Sequence, residues 1–333
     1  MTFLQRQGIR ARRLLLFLTG GHRRWLAPPR LVQIEVTNRC DLACRTCTRG
    51  KLPVLGHMNF EDFARIVDGL GRVHDLWLSG QGEPLLNPQL PRMIAYCAER
   101  GIANTIVHTN GMQLRGRILE RLAAAPLGRL IVSIDGGTVQ DMEHIREGSD
   151  LPAILENTAA FTRASATPVW FHVVLNRMNH ASVPLIPELA ARAGAIGLNV
   201  VETVPFRDTT TQRETYDRRE YQFCGLPAET RRRTLAELRR AARRHRVELA
   251  IDLKWYRTRC DEPMRKMYVD FRGNVTPCCR IHHEVVVGNI LKEGRDNVWY
   301  GEAMGRWRRA LRRRREHPRL CVERCNLGIG PRP

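Results

Sequence analysis

Residues 31–47 read Leu-Val-Gln-Ile-Glu-Val-Thr-Asn-Arg-Cys-Asp-Leu-Ala-Cys-Arg-Thr-Cys, an apolar run followed at once by Cys40, Cys44 and Cys47. The spacing C-x3-C-x2-C puts three thiols in one loop directly after a strand. A four-iron cube normally takes four protein ligands, so three leave one iron open for a substrate or cofactor. A closed structural zinc site would want a fourth Cys or His. His57 is the nearest candidate, but it lies beyond the Pro53 turn at unsuitable spacing.

Working outward, short runs rich in Val, Ile and Leu recur at 31–36, 76–78, 105–108, 130–134, 169–175 and 198–202. Such runs suit strands buried on both faces. Between them lie amphipathic helical patterns at 90–100, 114–125, 153–163 and 182–192, and a first helix with Asn59 as N-cap and Phe63, Ile66, Val67 and Leu70 at helical spacing. This alternation predicts an α/β fold, a partial (β/α)6 TIM-like barrel over 31–203. In such barrels the chemistry sits in the loops after the strands, where the three cysteines fall. Residues 204–253 read as a connecting segment with a basic helix at 229–245 and a strand at 247–253, and 254–333 as a cysteine-bearing tail.

The chain has 333 residues, 43% of them hydrophobic, enough for a large core. Residues 1–30 form a basic, amphipathic extension whose longest apolar run is Leu14 to Leu18. That is too short for a membrane span or a signal core, so a cytoplasmic protein is expected. The segment has the composition of a peripheral membrane contact, although capping a barrel is the commoner use. Lys and Arg number 54 against 34 Asp and Glu, a net charge of +20. Nucleic acid is one partner such a charge allows, but no nucleic-acid-binding motif accompanies it, and the arginines are spread over many segments.

The cysteine loop resembles the radical S-adenosylmethionine (SAM) superfamily, whose hallmark is this spacing on the first βα loop. The resemblance implies that Cys40, Cys44 and Cys47 bind a 4Fe-4S cluster whose open iron is chelated by SAM. Thr46 departs from the hydrophobic or aromatic residue usual before the last cysteine. Later strand ends add Ser79-Gly80-Gln81-Gly82-Glu83-Pro84, Thr109-Asn110-Gly111 and Ser133-Ile134-Asp135-Gly136-Gly137. By resemblance, Gln81, Gly82, Glu83, Asn110, Ser133, Asp135 and Arg146 are SAM-binding positions, with Glu83 toward the ammonium and Arg146 toward the carboxylate. A solvated helix face is the competing reading of Arg146.

The tail carries Cys260-Asp261-Glu262-Pro263, Gly273 followed by Cys278-Cys279, Gly288-Asn289-Ile290, Trp299, and Cys321 with Cys325. Four such cysteines suit either a cube or a zinc ion. The pattern resembles the SPASM or shorter twitch subdomain of radical SAM enzymes. It implies one auxiliary 4Fe-4S cluster on Cys260, Cys278, Cys321 and Cys325, with Cys279 able to replace Cys278. Cys97 reads as core, and Cys224 as a packing residue of the connection or, alternatively, a redox or substrate contact.

The family resemblance implies reductive cleavage of SAM to a 5′-deoxyadenosyl radical that takes hydrogen from an unactivated C–H bond. The electron would come from a donor such as flavodoxin or ferredoxin. Oxidation of a small hydroxylated or amino-sugar metabolite is the expected outcome, with the auxiliary cluster as electron acceptor. Maturation of a ribosomally made peptide is the alternative; many peptide-modifying relatives carry a leader-binding domain before the barrel, and about thirty residues precede the first strand here. A basic, metal-bound nucleic-acid-binding protein is the reading from another class.

Overall fold

The computed structural model describes residues 27–45, 47, 49, 54–202, 222–253, 260–279, 285–312, 318 and 321. The basic extension up to residue 26, Thr46 and Cys325 lie outside the described residues. Seven strands run parallel and in sequence order: β1 (Leu31–Ile34), β2 (Asp75–Leu78), β3 (Thr105–Thr109), β4 (Arg129–Ser133), β5 (Val169–Leu175), β6 (Gly197–Glu202) and β7 (Glu248–Asp252). The crossovers carry α1 (Phe60–Leu70), α2 (Leu90–Glu99), α3 (Gly116–Ala123), α4 (Val139–Ile145), α5 (Leu151–Ala164), α6 (Ile186–Arg192) and α7 (Ala228–Arg244). The six-unit partial barrel is therefore present, and its sheet continues past both edges.

At one edge β7 pairs with β6. At the other, the tail contributes β8 (Lys266–Val269), which pairs parallel with β1, followed by antiparallel β9 (Asn274–Thr276) and β10 (Gly288–Asn289). Three helices, α8 (Ile290–Glu293), α9 (Arg295–Trp299) and α10 (Glu302–Arg312), then pack beside this hairpin. The ten-stranded order is β10-β9-β8-β1-β2-β3-β4-β5-β6-β7.

Side chains alternate across a strand, and here both faces are used. Val32, Ile34, Leu76, Leu78, Val107, Leu130, Val132, Phe171, Val173, Leu198 and Val200 join the main core with the helices. On the opposite, inner face, Ile106, Ile131 and Trp170 form a separate cluster with Trp77 packed on it. Asn59 caps α1 as its sequence suggests, its side chain accepting from the Asp62 N–H at 2.7 Å. Helix α6 begins four residues later than the periodicity predicts. Pro184 and Pro187 lack the N–H groups that an earlier start would need, so 183–185 form a tighter turn instead. Cys97 is fully buried in the core.

Glu35, just after β1, ties the tail to the barrel. Its Oε2 accepts from the Gln81 N–H at 2.6 Å and from the Tyr268 hydroxyl on β8 at 2.7 Å, while Oε1 has no partner. A Cβ at Gly80 would stand 2.4 Å from Glu35 Cγ, so only glycine lets this side chain lie across the strand end. Burial lifts the Glu35 pKa from 4.5 to about 7, against the pull of these hydrogen bonds. Because the folded value is the higher one, the stability this group contributes is present below about 4.5 and lost as pH rises through about 7. Glu35→Gln is therefore expected to exceed the unsubstituted chain in stability at pH 8 by on the order of 1–3 kcal/mol. Urea midpoints should show that difference shrinking toward zero near pH 4.5, and a constant difference across the range would contradict the assignment.

Candidate active site

The cysteine loop leaves β1 through Thr37 and Asn38, both buried, and is fastened on several sides. Asn38 bonds Val54 O through Nδ2 and accepts from Gly56 N–H through Oδ1, both at 2.8 Å. The Ala43 and Arg45 N–H groups donate to Glu147 O and Ile145 O at 3.0 and 2.9 Å, laying the loop along the end of α4. Asp41, between the first two cysteines, accepts from Asn110 Nδ2 at 2.7 Å and Gln113 Nε2 at 2.9 Å. Cys40 and Cys44 are half-buried and Cys47 is exposed.

Strand end β2 lies directly against this loop. A Cβ at Gly82 would meet Arg39 O at 2.4 Å and Thr37 O at 2.5 Å, so backbone packs on backbone where any side chain would intrude. The Glu83 N–H donates to Arg39 O at 2.8 Å. Its carboxylate, 2% exposed, accepts from Leu85 N–H at 3.0 Å, Thr109 Oγ1 at 2.6 Å and Asn110 N–H at 2.6 Å. Burial raises its pKa to about 7 although these three bonds oppose the shift. Glu83 thus spends its acceptors on the chain itself and joins β2, β3 and the cysteine loop.

Strand β4 and α4 supply the charge. Asp135, 1% exposed, accepts from Arg146 Nε at 2.7 Å through Oδ2 and from Val174 N–H at 2.7 Å through Oδ1. Arg146 also reaches Cys44, with Nη1 3.8 Å from Sγ. Burial works against its charge, but Asp135 and the Cys44 and Cys47 sulfurs outweigh it and raise its pKa. Arg146 faces into the site, which excludes the solvated helix face.

Burial pushes the Cys40 thiol up to about 12 and also raises Cys44, where Arg146 opposes the shift. Such thiols become thiolates when a metal brings positive charge to them. The carboxylates around the loop are already engaged, so the donor set is three soft sulfurs with no fourth protein ligand among the described residues. That set fits a four-iron cube with one open position.

The sequence gave no sign of the inner-face layer beside this corner. His108 stacks on Trp77 with ring centroids 5.2 Å apart and lies 5.3 Å from His172, which shares a 3.2 Å contact between its Nδ1 and Asn199 Nδ2. Burial lowers the His108 pKa to about 3 and also depresses His172, so both imidazoles are neutral. His108 Nε2 and Trp77 Nε1 are buried without partners. The signal available in the sequence was period two: each sits one residue from an outward-facing core position on its strand. Ser133 occupies the same inner face, in register with His172.

In the tail, Cys260 and Cys321 pack together with Leu311 and Trp307. Cys278 and Cys279 follow β9, with Thr276 Oγ1 donating to Cys278 O at 3.0 Å. No three His, Cys, Asp or Glu side chains among the described residues are spaced to hold a single metal ion. Cys224 lies half-buried, its N–H donating to Glu202 Oε1 at 2.7 Å, and burial raises its thiol to about 12. No helix among the described residues is long and apolar enough to cross a membrane.

Comparison with known proteins agrees with this geometry. The radical SAM superfamily profile matches residues 34–182, and an iron-sulfur cluster-binding domain, SPASM, matches residues 260–326. The AdoMet-dependent heme synthase of Methanosarcina barkeri is 26% identical over 299 residues, 81% of this chain and 82% of that protein. A PqqA peptide cyclase of Xanthomonas campestris pv. campestris is 27% identical over 304 residues, 84% of this chain and 76% of that one. Among solved structures, Streptococcus suis SuiB bound to S-adenosylmethionine superposes with a TM-score of 0.70 at 15% identity, over 91% of this chain and 72% of SuiB. SuiB bound to its precursor peptide SuiA gives a TM-score of 0.68 over 90% of this chain and 70% of SuiB, also at 15% identity. The chain belongs to the radical SAM superfamily: it is a radical SAM enzyme with a C-terminal SPASM domain, and its cofactors are SAM, a SAM-binding 4Fe-4S cluster and an auxiliary 4Fe-4S cluster.

Proposed function

We propose that this enzyme modifies a peptide at an unactivated C–H bond, with Cys40, Cys44 and Cys47 holding the SAM-binding cluster and Cys260, Cys278, Cys321 and Cys325 the auxiliary one. The observation that carries the site assignment is the convergence of Arg146 on Cys44 within a loop that Gly82 and Glu83 clamp against β2. When bound, the cluster and SAM supply a 5′-deoxyadenosyl radical after one-electron reduction by a small donor protein such as flavodoxin or ferredoxin.

The chain's own groups position and shield. Arg146, held by Asp135, offers its remaining donors to the SAM carboxylate beside Cys44. Gln81 and Gly82 present backbone to the SAM ammonium, while Glu83 and Asn110 fix the loops that shape this pocket. Ser133 and the neutral His108, His172 and Asn199 line the inner face, where polar substrate groups find hydrogen-bond partners without a competing charge. The peptide reading draws its support from the PqqA peptide cyclase, aligned over most of both chains, and from SuiB with SuiA. Oxidation of a small hydroxylated or amino-sugar metabolite is the competing reading, favoured by the brevity of the segment before β1.

Three outcomes follow. Cys44→Ala should abolish SAM cleavage, whereas Cys321→Ala should cleave SAM but lose product; equal loss in both would contradict separate roles for the two cysteine groups. Gly82→Ala forces the β2 end and cysteine loop apart, and should lower SAM cleavage at least tenfold while the iron content of the tail cluster persists; unchanged cleavage would show that the close approach is dispensable. With deuterated candidate peptides and metabolites, label should reach 5′-deoxyadenosine from a peptide. Transfer from a metabolite alone would reverse the choice of substrate class.

A further inference from the structure

One charge in the tail has no counterpart. Arg308, on α10, is fully buried. Its Nε donates to Pro263 O at 2.8 Å and its Nη1 to Trp299 O at 2.5 Å, and the guanidinium lies over the Trp299 ring with Cζ 4.3 Å from the centroid. Nη2 has no partner at all. None of the ion pairs among the described residues involves it. Carbonyl dipoles and an indole face soften a buried cation, but they do not neutralise it. Burial accordingly draws its pKa down to about 9, with Tyr300 opposing the shift.

A buried, uncompensated charge is costly, and proteins keep one where an anion meets it. The neighbourhood identifies that anion. Trp307, adjacent to Arg308, and Leu311, one turn further along α10, are the residues on which Cys260 and Cys321 pack. Pro263, whose carbonyl Arg308 holds, follows Cys260 by three residues in the turn against which α10 lies. The unpartnered nitrogen therefore belongs to the corner of the fold where those two thiols meet.

We infer that Arg308 is the charge partner of the auxiliary iron-sulfur cluster and sets it as an electron acceptor by favouring its reduced form. The inference rests on the proposed ligation of that cluster by Cys260, Cys278, Cys321 and Cys325. A cube held by four thiolates is anionic, and taking up an electron makes it more so. Cluster potential follows net charge, hydrogen bonds to sulfur and burial, and Arg308 acts on the first two. A fixed positive charge in a dry site stabilises the more negative state more strongly than the less negative one. Arg308 is thus a positioning and tuning residue; it touches no substrate.

The test is an EPR-monitored redox titration of the full chain, reconstituted with iron and sulfide, taking the auxiliary signal as the one that does not respond to SAM. In Arg308→Gln the one-electron reduction of that signal should become at least tenfold less favourable, about 59 mV. The SAM-responsive signal should stay in place. Arg308→Lys, which keeps the charge but loses the planar fork, should remain within threefold of the unsubstituted chain. A shift below threefold in Arg308→Gln overturns the proposal. Should Arg308→Gln fail to hold the second cluster, iron content of Arg308→Lys decides: retention upholds the charge role, and loss in both variants overturns it in favour of a purely structural one. An unsubstituted chain with no SAM-insensitive signal would overturn the ligand assignment itself, a result distinct from an unmoved potential.

Discussion

The Glu83 carboxylate is the knot of the site. It is buried, and it collects donors from the turn after β2 and from two residues at the end of β3, while its own N–H holds the cysteine loop at Arg39 O. Each bond is made in a place that water does not reach, where an unmade hydrogen bond is expensive. Separating any one of these pieces would strand polar groups on the others. The loop carrying Cys40, Cys44 and Cys47 is thereby fixed relative to two strand ends before any cofactor arrives. Gly82 completes the arrangement, because the knot closes only if no side chain stands between the two backbones.

Charge is handled differently at the two cysteine groups. At the first, Arg146 is neutralised by Asp135 and still points a nitrogen at Cys44, so the pair contributes direction with little net field. At the second, Arg308 has no carboxylate, and its charge is spent on whatever lies in that corner. The inner face between them keeps its histidines neutral through burial. A radical generated above such a layer meets hydrogen-bonding groups of low charge, which suits chemistry in which stray proton transfer is a side reaction.

Much of this was legible in the sequence, and the physical reasons are plain for particular residues. The strands could be read because those buried on both faces demand Val, Ile and Leu in short runs, and 169–175 matches β5 end to end. The start of α1 followed from one side chain, Asn59, whose bond to Asp62 N–H is local. The C-x3-C-x2-C loop was readable because ligand spacing is itself local chemistry. Glu35 with Tyr268 was not, since 233 residues separate two groups that meet only once β8 docks on β1. His108 and His172 were missed for a related reason: a single polar residue inside an apolar strand carries no mark of the face it occupies until the barrel closes. Arg308, in a tail dense with arginine, gave no sign of being the one withdrawn from water.

The docking of β8 on β1 has a consequence beyond stability. The hydrogen-bonded register from Leu31 with Lys266 to Ile34 with Val269 makes the tail part of the same sheet that ends in the cysteine loop. Strand β1 therefore runs into Cys40 at its C-terminal end, and β8, lying beside it in the same direction, runs into the turn that leads through β9 to Cys278. Two cofactor loops emerging from adjacent parallel strands have a separation set by backbone hydrogen bonds. A flexible linker between two domains would leave that distance to vary, and electron transfer is sensitive to distance. The sheet holds it constant, and the Glu35 bridge from Gln81 to Tyr268 crosses this junction at the level of the site. On this argument the tail is built into the barrel so that the second cluster remains a fixed neighbour of the first while substrate enters from the open side.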